Sequence, residues 1–231
     1  MPLSDDFYGI PVSAPDLYGS RNIAAIARRW SAKAARWDSD LEDNTCHLNH
    51  EDSYNRFMEI ARRLVVERRE MCAAGSLIDL GCGTGAVLAD LSLHFQRCIG
   101  IDVSREMLDV ATNKGIGNAV WHLGDVFEGG WGGHRHAAVV SRGILLSHYG
   151  GDLARQLLGH TIGALIPGGV ALFDFLSEDA PEDTRMLAPN KAYFRPEWLI
   201  DQAQHLGSVK AIVDGNPDAR IRYLILLRCP D

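Results

Sequence analysis

The chain has 231 residues, of which 46% are hydrophobic and 23% charged, and its formal net charge is −7. That is enough for one α/β domain with a modest addition, in an ordinary globular composition. The acidic balance and the lack of a lysine-rich block argue against nonspecific binding to nucleic acid or anionic membrane, and no apolar run approaches the length of a membrane span.

The N-terminal stretch MPLSDDFYGIPV lacks a basic region followed by an apolar core, so it does not read as a secretory signal. Cys46, Cys72, Cys82, Cys98 and Cys229 are odd in number and form no C-x-x-C pair. Neither a structural zinc site nor a disulfide framework is therefore expected, and a cytoplasmic setting is the default.

Residues 1–19 are rich in Pro, Gly and Asp and read as an extended arm. From Arg21 the apolar residues Ile23, Ile26, Ala27, Trp30, Ala34 and Trp37 recur at steps of three and four, which predicts one helix with Ser20 as its cap. Trp30 and Trp37 read as core packing. Leu41 to Asn55 is polar, aperiodic and dense in His and acid. Segments of this kind on a rigid scaffold often carry binding residues. His47, His50, Glu51 and Tyr54 are accordingly candidates to line a substrate pocket. The spacing of His47 and His50 is compatible with metal binding, but nothing else supports it, and no metal is expected. Tyr54, Phe57, Met58, Ala61, Leu64 and Val65 predict a second amphipathic helix with Ser53 as its cap, closed by Ala74-Gly75.

Leu77 to Gly85 reads LIDLGCGTG: an apolar run that stops at glycines 81, 83 and 85, followed by a helical pattern. This is a strand–turn–helix signal, in which the turn brings bare main chain and a helix N-terminus to a ligand. Two ligands compete for it. Gly81, Gly83 and Ala86 satisfy the dinucleotide form G-x-G-x-x-G/A, with Asp102 further on. Asp79, two residues before the first glycine, opposes a pyrophosphate by like charge and suits a ligand carrying an ammonium and a sulfonium.

The remaining chain alternates strands and helices. Arg97 to Ile101 predicts a strand ending in Asp102, where a carboxylate suits two ribose hydroxyls. Ser104 caps the next helix. Val120 to Leu123 predicts a third strand, followed by Gly124-Asp125-Val126, and Glu128 to His136 reads as an exposed loop. Ala137 to Ser141 predicts the fourth strand, leading through Arg142-Gly143 into ILLSHYG, where His148 and Tyr149 stand out as polar groups. A His that titrates near neutrality can take a proton at working pH. Gly151 to Ile166 predicts a helix, Pro167-Gly168-Gly169 a turn needing positive φ, and Val170 to Leu176 the fifth strand. Ser177 to Pro189 reads as a loop or lid. Pro196 starts a helix, and about Ser208 to Val213 and Ile221 to Leu227 form a closing antiparallel pair.

The acid followed by G-x-G-x-G strongly resembles the first motif of class I S-adenosylmethionine (SAM) dependent methyltransferases, and the resemblance covers roughly residues 50–231. It implies an α/β, Rossmann-like sheet of seven mostly parallel strands with helices on both faces, an antiparallel last strand and an N-terminal helical cap. Residues 1–73 would be the arm and cap, and 74–231 the SAM-binding core. The resemblance assigns Asp79, Gly81, Cys82, Gly83, Gly85 and Arg142 to the cofactor. It further assigns Asp102 to the ribose, Val103 and Met107 to flanking the adenine, and Asp125 and Val126 to the adenine edge. It places His148 and Tyr149 beside the reacting methyl group, and Tyr54 among the cap residues near the methionine end. Many relatives carry an acid at the start of the fourth strand, where this chain has Ala137 and Ala138. The implied activity is methyl transfer to a small-molecule acceptor, in a natural-product or metabolite setting, with no nucleic acid or membrane partner; a homodimer is allowed. A NAD-dependent oxidoreductase, a protein or RNA methyltransferase, and a SAM-binding protein without turnover remain alternatives. The oxidoreductase lacks a Tyr/Lys pair, because no Lys closely follows Tyr149.

Overall fold

The computed structural model describes residues 21–42, 53–128, 131, 135–185 and 191–230. His47, His50 and Glu51 lie outside them. Seven strands form one sheet: β1 Ser76–Leu80, β2 Arg97–Asp102, β3 Ala119–Leu123, β4 His136–Ser141, β5 Leu165–Leu176, β6 Val209–Asp214 and β7 Ile221–Arg228. Their order is β3-β2-β1-β4-β5-β7-β6. The β7 strand runs antiparallel to both its neighbours, and the other pairings are parallel.

Both faces of the sheet are covered, so the strands read as continuous apolar runs rather than alternating ones. Alternate side chains still go to opposite faces. Leu77, Ala138, Leu172 and Ile225 join one core with Phe57, Met58 and Leu64 of helix α3 (Ser53–Glu67) and Val87 and Leu88 of α5 (Ala86–Leu91). Between them lies the short helix α4 (Arg69–Ala74). Ile78, Val139, Phe173 and Leu224 face the other way. They pack with Leu157 and Leu158 of α8 (Gly151–Ala164) and Leu199 and Ala203 of α9 (Pro196–Leu206).

Several expectations need correction. The predicted N-terminal helix is broken into α1 (Ile23–Ser31), a 3₁₀ turn (Ala34–Arg36) and α2 (Trp37–Glu42), with Asn22 capping α1. The break lets Trp30 and Trp37 meet edge to face at 5.6 Å, a tertiary contact that periodicity does not see. The stretch from Glu128 to His136 is not wholly exposed. Trp131 is buried and donates its indole N–H to Val126 O at 2.9 Å. His136 is also buried, within hydrogen-bond distance of Ser76 Oγ at 2.7 Å. Pro167-Gly168-Gly169 does not end before β5 but lies within it, at a register irregularity against β4, with Gly168 at φ +77°. Ser177, read as part of a polar loop, is buried and bridges to Phe194.

The sheet order fixes where a ligand can sit. The chain leaves β1 toward β2 and β3 on one side, and β4 and β5 lie on the other. In open α/β sheets the crevice at such a reversal, beyond the carboxyl ends of the strands, is the binding site. Here it opens between the ends of β1 and β4, where Ser141 Oγ donates to Leu80 O at 2.8 Å.

Candidate functional site

A cavity enclosing about 900 Å³ between protein atoms, its mouth included, opens at that reversal. Its floor is the glycine turn after β1. Gly81, Gly83 and Gly85 all have positive φ, at +70°, +52° and +76°. The Gly81 and Cys82 amides donate to Ile101 O at 2.9 and 3.0 Å, which ties the turn to the end of β2. Gly81, Cys82, Gly83 and Thr84 line the cavity. Gly85 does not. It caps α5, and a Cβ there would lie 2.5 Å from the Trp121 ring.

Two acids stand on this floor. Asp102, at the end of β2, is only 8% exposed and accepts from the Gly83 amide at 2.9 Å and the Ser104 amide at 2.8 Å. Burial raises its pKa, and these amides pull it down. Asp79, near the end of β1, is 1% exposed, and its Oδ2 is buried without a hydrogen-bond partner. Burial first, and then the Asp102 charge, push Asp79 up to about 8, against the opposing pull of Arg142. Cys82 is raised well above its usual range by the same burial and the same two acids.

A third acid shapes the opposite wall without lining it. Asp174 on β5 accepts from the Gly143 amide at 3.0 and 2.9 Å and from the Ile144 amide at 2.6 Å. This holds Ile144 at φ +56°, an outlying conformation for a β-branched residue. The turn so fixed presents Arg142 to the cavity, its guanidinium 5.0 Å from the centre of the Tyr54 ring. Helix α7 (Leu145–Tyr149) follows. Its buried Ser147 accepts from the Leu176 amide at 2.8 Å, which anchors the helix on β5. His148 and Tyr149 both reach the cavity wall from it. Tyr149 meets Phe127 edge to face at 4.7 Å.

The N-terminal helices supply the roof. Trp30, Trp37 and Tyr54 line the cavity, and Trp30 meets the His148 ring edge to face at 5.8 Å. Sequence periodicity assigned both tryptophans to the core, because a stripe facing a cleft has the same spacing as one facing a core. Helices α1 and α2 are tied down at several points. Asp38 accepts from Thr84 Oγ1 and pairs at 2.7 Å with Lys114, the C-cap of α6 (Arg105–Asn113). Ser31 Oγ lies 3.0 Å from Ser104 Oγ. Ser104 caps α6 by accepting from the Met107 amide.

Val103, Met107 and Val126 also line the cavity. Asp125 does not: its carboxylate accepts from the Phe127 amide and forms an ion pair with Arg21. Arg62 of α3 pairs with Asp90. Among the described residues no three His, Cys, Asp or Glu side chains gather as a metal site.

Residues 77–169 match the model of the family described as a methyltransferase domain. The chain is 30% identical over 129 residues to dTDP-3-amino-3,6-dideoxy-alpha-D-glucopyranose N,N-dimethyltransferase of Streptomyces fradiae, covering 55% of this chain and 49% of that protein. It is 32% identical over 122 residues to trans-aconitate 2-methyltransferase of Pseudomonas aeruginosa, covering 51% and 42%. The chain therefore spans about half the length of the curated relatives it matches. Among solved structures, a DhpI–SAH complex superposes with a TM-score of 0.63 at 21% identity, covering 90% of this chain and 98% of that one. The N-methyltransferase NodS from Bradyrhizobium japonicum, in complex with S-adenosyl-l-homocysteine (SAH), gives 0.60 at 16% identity, covering 79% and 91%. Residues 77–169 thus match a methyltransferase domain, on a fold that these SAH complexes share.

Proposed function

We propose that the protein transfers a methyl group from SAM to a small-molecule acceptor held under the N-terminal cap. One observation carries this reading: Asp79 and Asp102 share the floor of a glycine-lined cavity, and Asp79 keeps a buried oxygen without a partner. A pyrophosphate would meet these carboxylates as like charges, whereas a cationic sulfur nucleoside complements them. The residues present therefore fit SAM, which when bound would supply an already activated methyl group.

The chain's own tasks are alignment and exclusion of water. In this reading Gly81, Cys82 and Gly83 give the cofactor bare main chain, and Asp102 takes the ribose. Val103, Met107 and Val126 enclose the base. Asp125 reaches the base edge only by exchanging its Arg21 pairing. Residues 1–73 serve as the cap, and 74–231 as the core. Trp30, Trp37 and Tyr54 close the roof over the acceptor, with His47, His50 and Glu51 as further lining. His148, set on an anchored helix against Trp30, is placed to hold or receive an acceptor proton, with Tyr149 beside it.

The curated relatives are named for a sugar amine and for a carboxylic acid, and both are small acceptors. We extend that class to this chain, in a cytoplasmic, natural-product or metabolite setting. The test is calorimetry with SAM and NAD, followed by transfer of labelled methyl from SAM to panels of amino-sugar nucleotides and polycarboxylates. SAM binding and label in one small-molecule class are expected. Binding of NAD in preference to SAM would overturn the proposal.

A further inference from the structure

We infer that the cavity accepts the positive charge of its ligand at Asp79 in exchange for a proton, so that cofactor binding is coupled to proton release. This rests on the SAM reading above and deepens it.

The three buried acids differ in how their oxygens are satisfied. Asp102 accepts two backbone amides and Asp174 accepts the amides of Gly143 and Ile144. Each of these carboxylates therefore has donors that favour its ionised form. Asp79 is as deeply buried, yet its Oδ2 has no donor. The charged groups acting on it are Asp102 from β2, Asp174 from β5 and Arg142 from the turn after β4. Tyr54 from α3, Cys82 from the glycine turn and Cys98 from β2 feel its charge in return. Three buried carboxylates thus act on one another beside the Arg142 guanidinium. Neighbouring acids under such conditions do not all ionise, and the proton belongs on the one without donors. Its raised pKa, about 8, agrees with that placement. A cation entering beside Asp79 supplies the missing charge, and the proton leaves to solvent. The carboxylic acid becomes a carboxylate, the ligand keeps its charge, and nothing is oxidised or reduced.

The experiment is titration calorimetry of the full chain with SAM, at pH 7 and pH 9, in buffers of different ionisation heat. The expected result is release of nearly one proton per bound SAM at pH 7 and no release at pH 9, where any exchange is uptake by the ligand's own α-amino group, with affinity falling about tenfold per unit of pH below 8. Asp79→Asn should bind more weakly and release no proton. SAH, which keeps the ammonium but not the sulfonium, and methylthioadenosine, which has neither, distinguish the two charges. Release with SAH and SAM assigns the exchange to the ammonium, and release with SAM alone assigns it to the sulfonium. SAM binding with no buffer-dependent heat at pH 7 overturns the inference while leaving the SAM reading intact. Failure of SAM to bind overturns both. If Asp79→Asn does not fold, the comparison of pH 7 with pH 9 in the unaltered protein still decides.

Discussion

The Ile144 amide donates to Asp174 Oδ1 at 2.6 Å, a bond that reaches from β5 to the turn after β4. Because Ile144 sits at φ +56°, the turn persists only while the surrounding structure holds it. Asp174→Ala should therefore destabilise the protein by about 2–3 kcal/mol, the loss expected for buried hydrogen bonds to a charged group. Asp174→Asn, which keeps one accepting oxygen, should cost less. Urea unfolding of the two variants checks the order. Equal stability of Asp174→Ala and the parent would show that the turn holds itself.

Trp121 packs closely against Gly85 of the glycine turn and Gly100 of β2. A Cβ on Gly100 would fall 2.5 Å from its ring and 2.9 Å from Cys82 Sγ. Gly100→Ala should cost about 1–3 kcal/mol by overpacking. Combining it with Trp121→Val should recover part of that loss, because the two changes share one space. A strictly additive double variant in denaturant unfolding would mean that the ring already moves freely.

The buried acid also sets a pH dependence for the empty protein. Asp79 titrates at about 8 in the fold, against roughly 4 in the unfolded chain. The folded state binds its proton more tightly, so this stabilisation is complete below pH 4 and is lost as pH rises through 8. The parent should therefore lose stability relative to Asp79→Asn across that window, at up to about 1.4 kcal/mol per pH unit. The difference should level off above pH 9. Unfolding curves collected from pH 5 to pH 9 test it, and parallel profiles would remove Asp79 from the linkage.

Asp102 and His148 should separate in their effects. Asp102→Ala removes acceptors for the Gly83 and Ser104 amides as well as the proposed ribose ligand. It should weaken SAM binding by at least tenfold, about 1.4 kcal/mol. Replacing His148 should lower turnover while leaving SAM affinity within about twofold, as expected of a group that serves the acceptor rather than the donor. Calorimetry beside a methyl-transfer assay distinguishes them. Unchanged SAM affinity in Asp102→Ala, or full activity in His148→Ala, would withdraw the corresponding role.

Local chemistry in the chain determined the α/β alternation, the glycine turn and the capping of α6 by Ser104. Each depends on residues close in sequence: an apolar run ended by glycines, or a hydroxyl three residues from the amide it accepts. Tertiary structure alone decided the rest. Trp30 and Trp37 keep helical spacing whether they face a core or a cleft, and only the break after Ser31 turns them toward the cavity. Asp79, Asp102 and Asp174 lie on three strands, and their shared field follows from strand order. The Arg21–Asp125 pair spans much of the chain, so no local pattern announces that an acid expected in the cavity is engaged elsewhere. Sequence patterns record what neighbours along the chain prefer, whereas burial and charge coupling belong to groups that only the fold brings together.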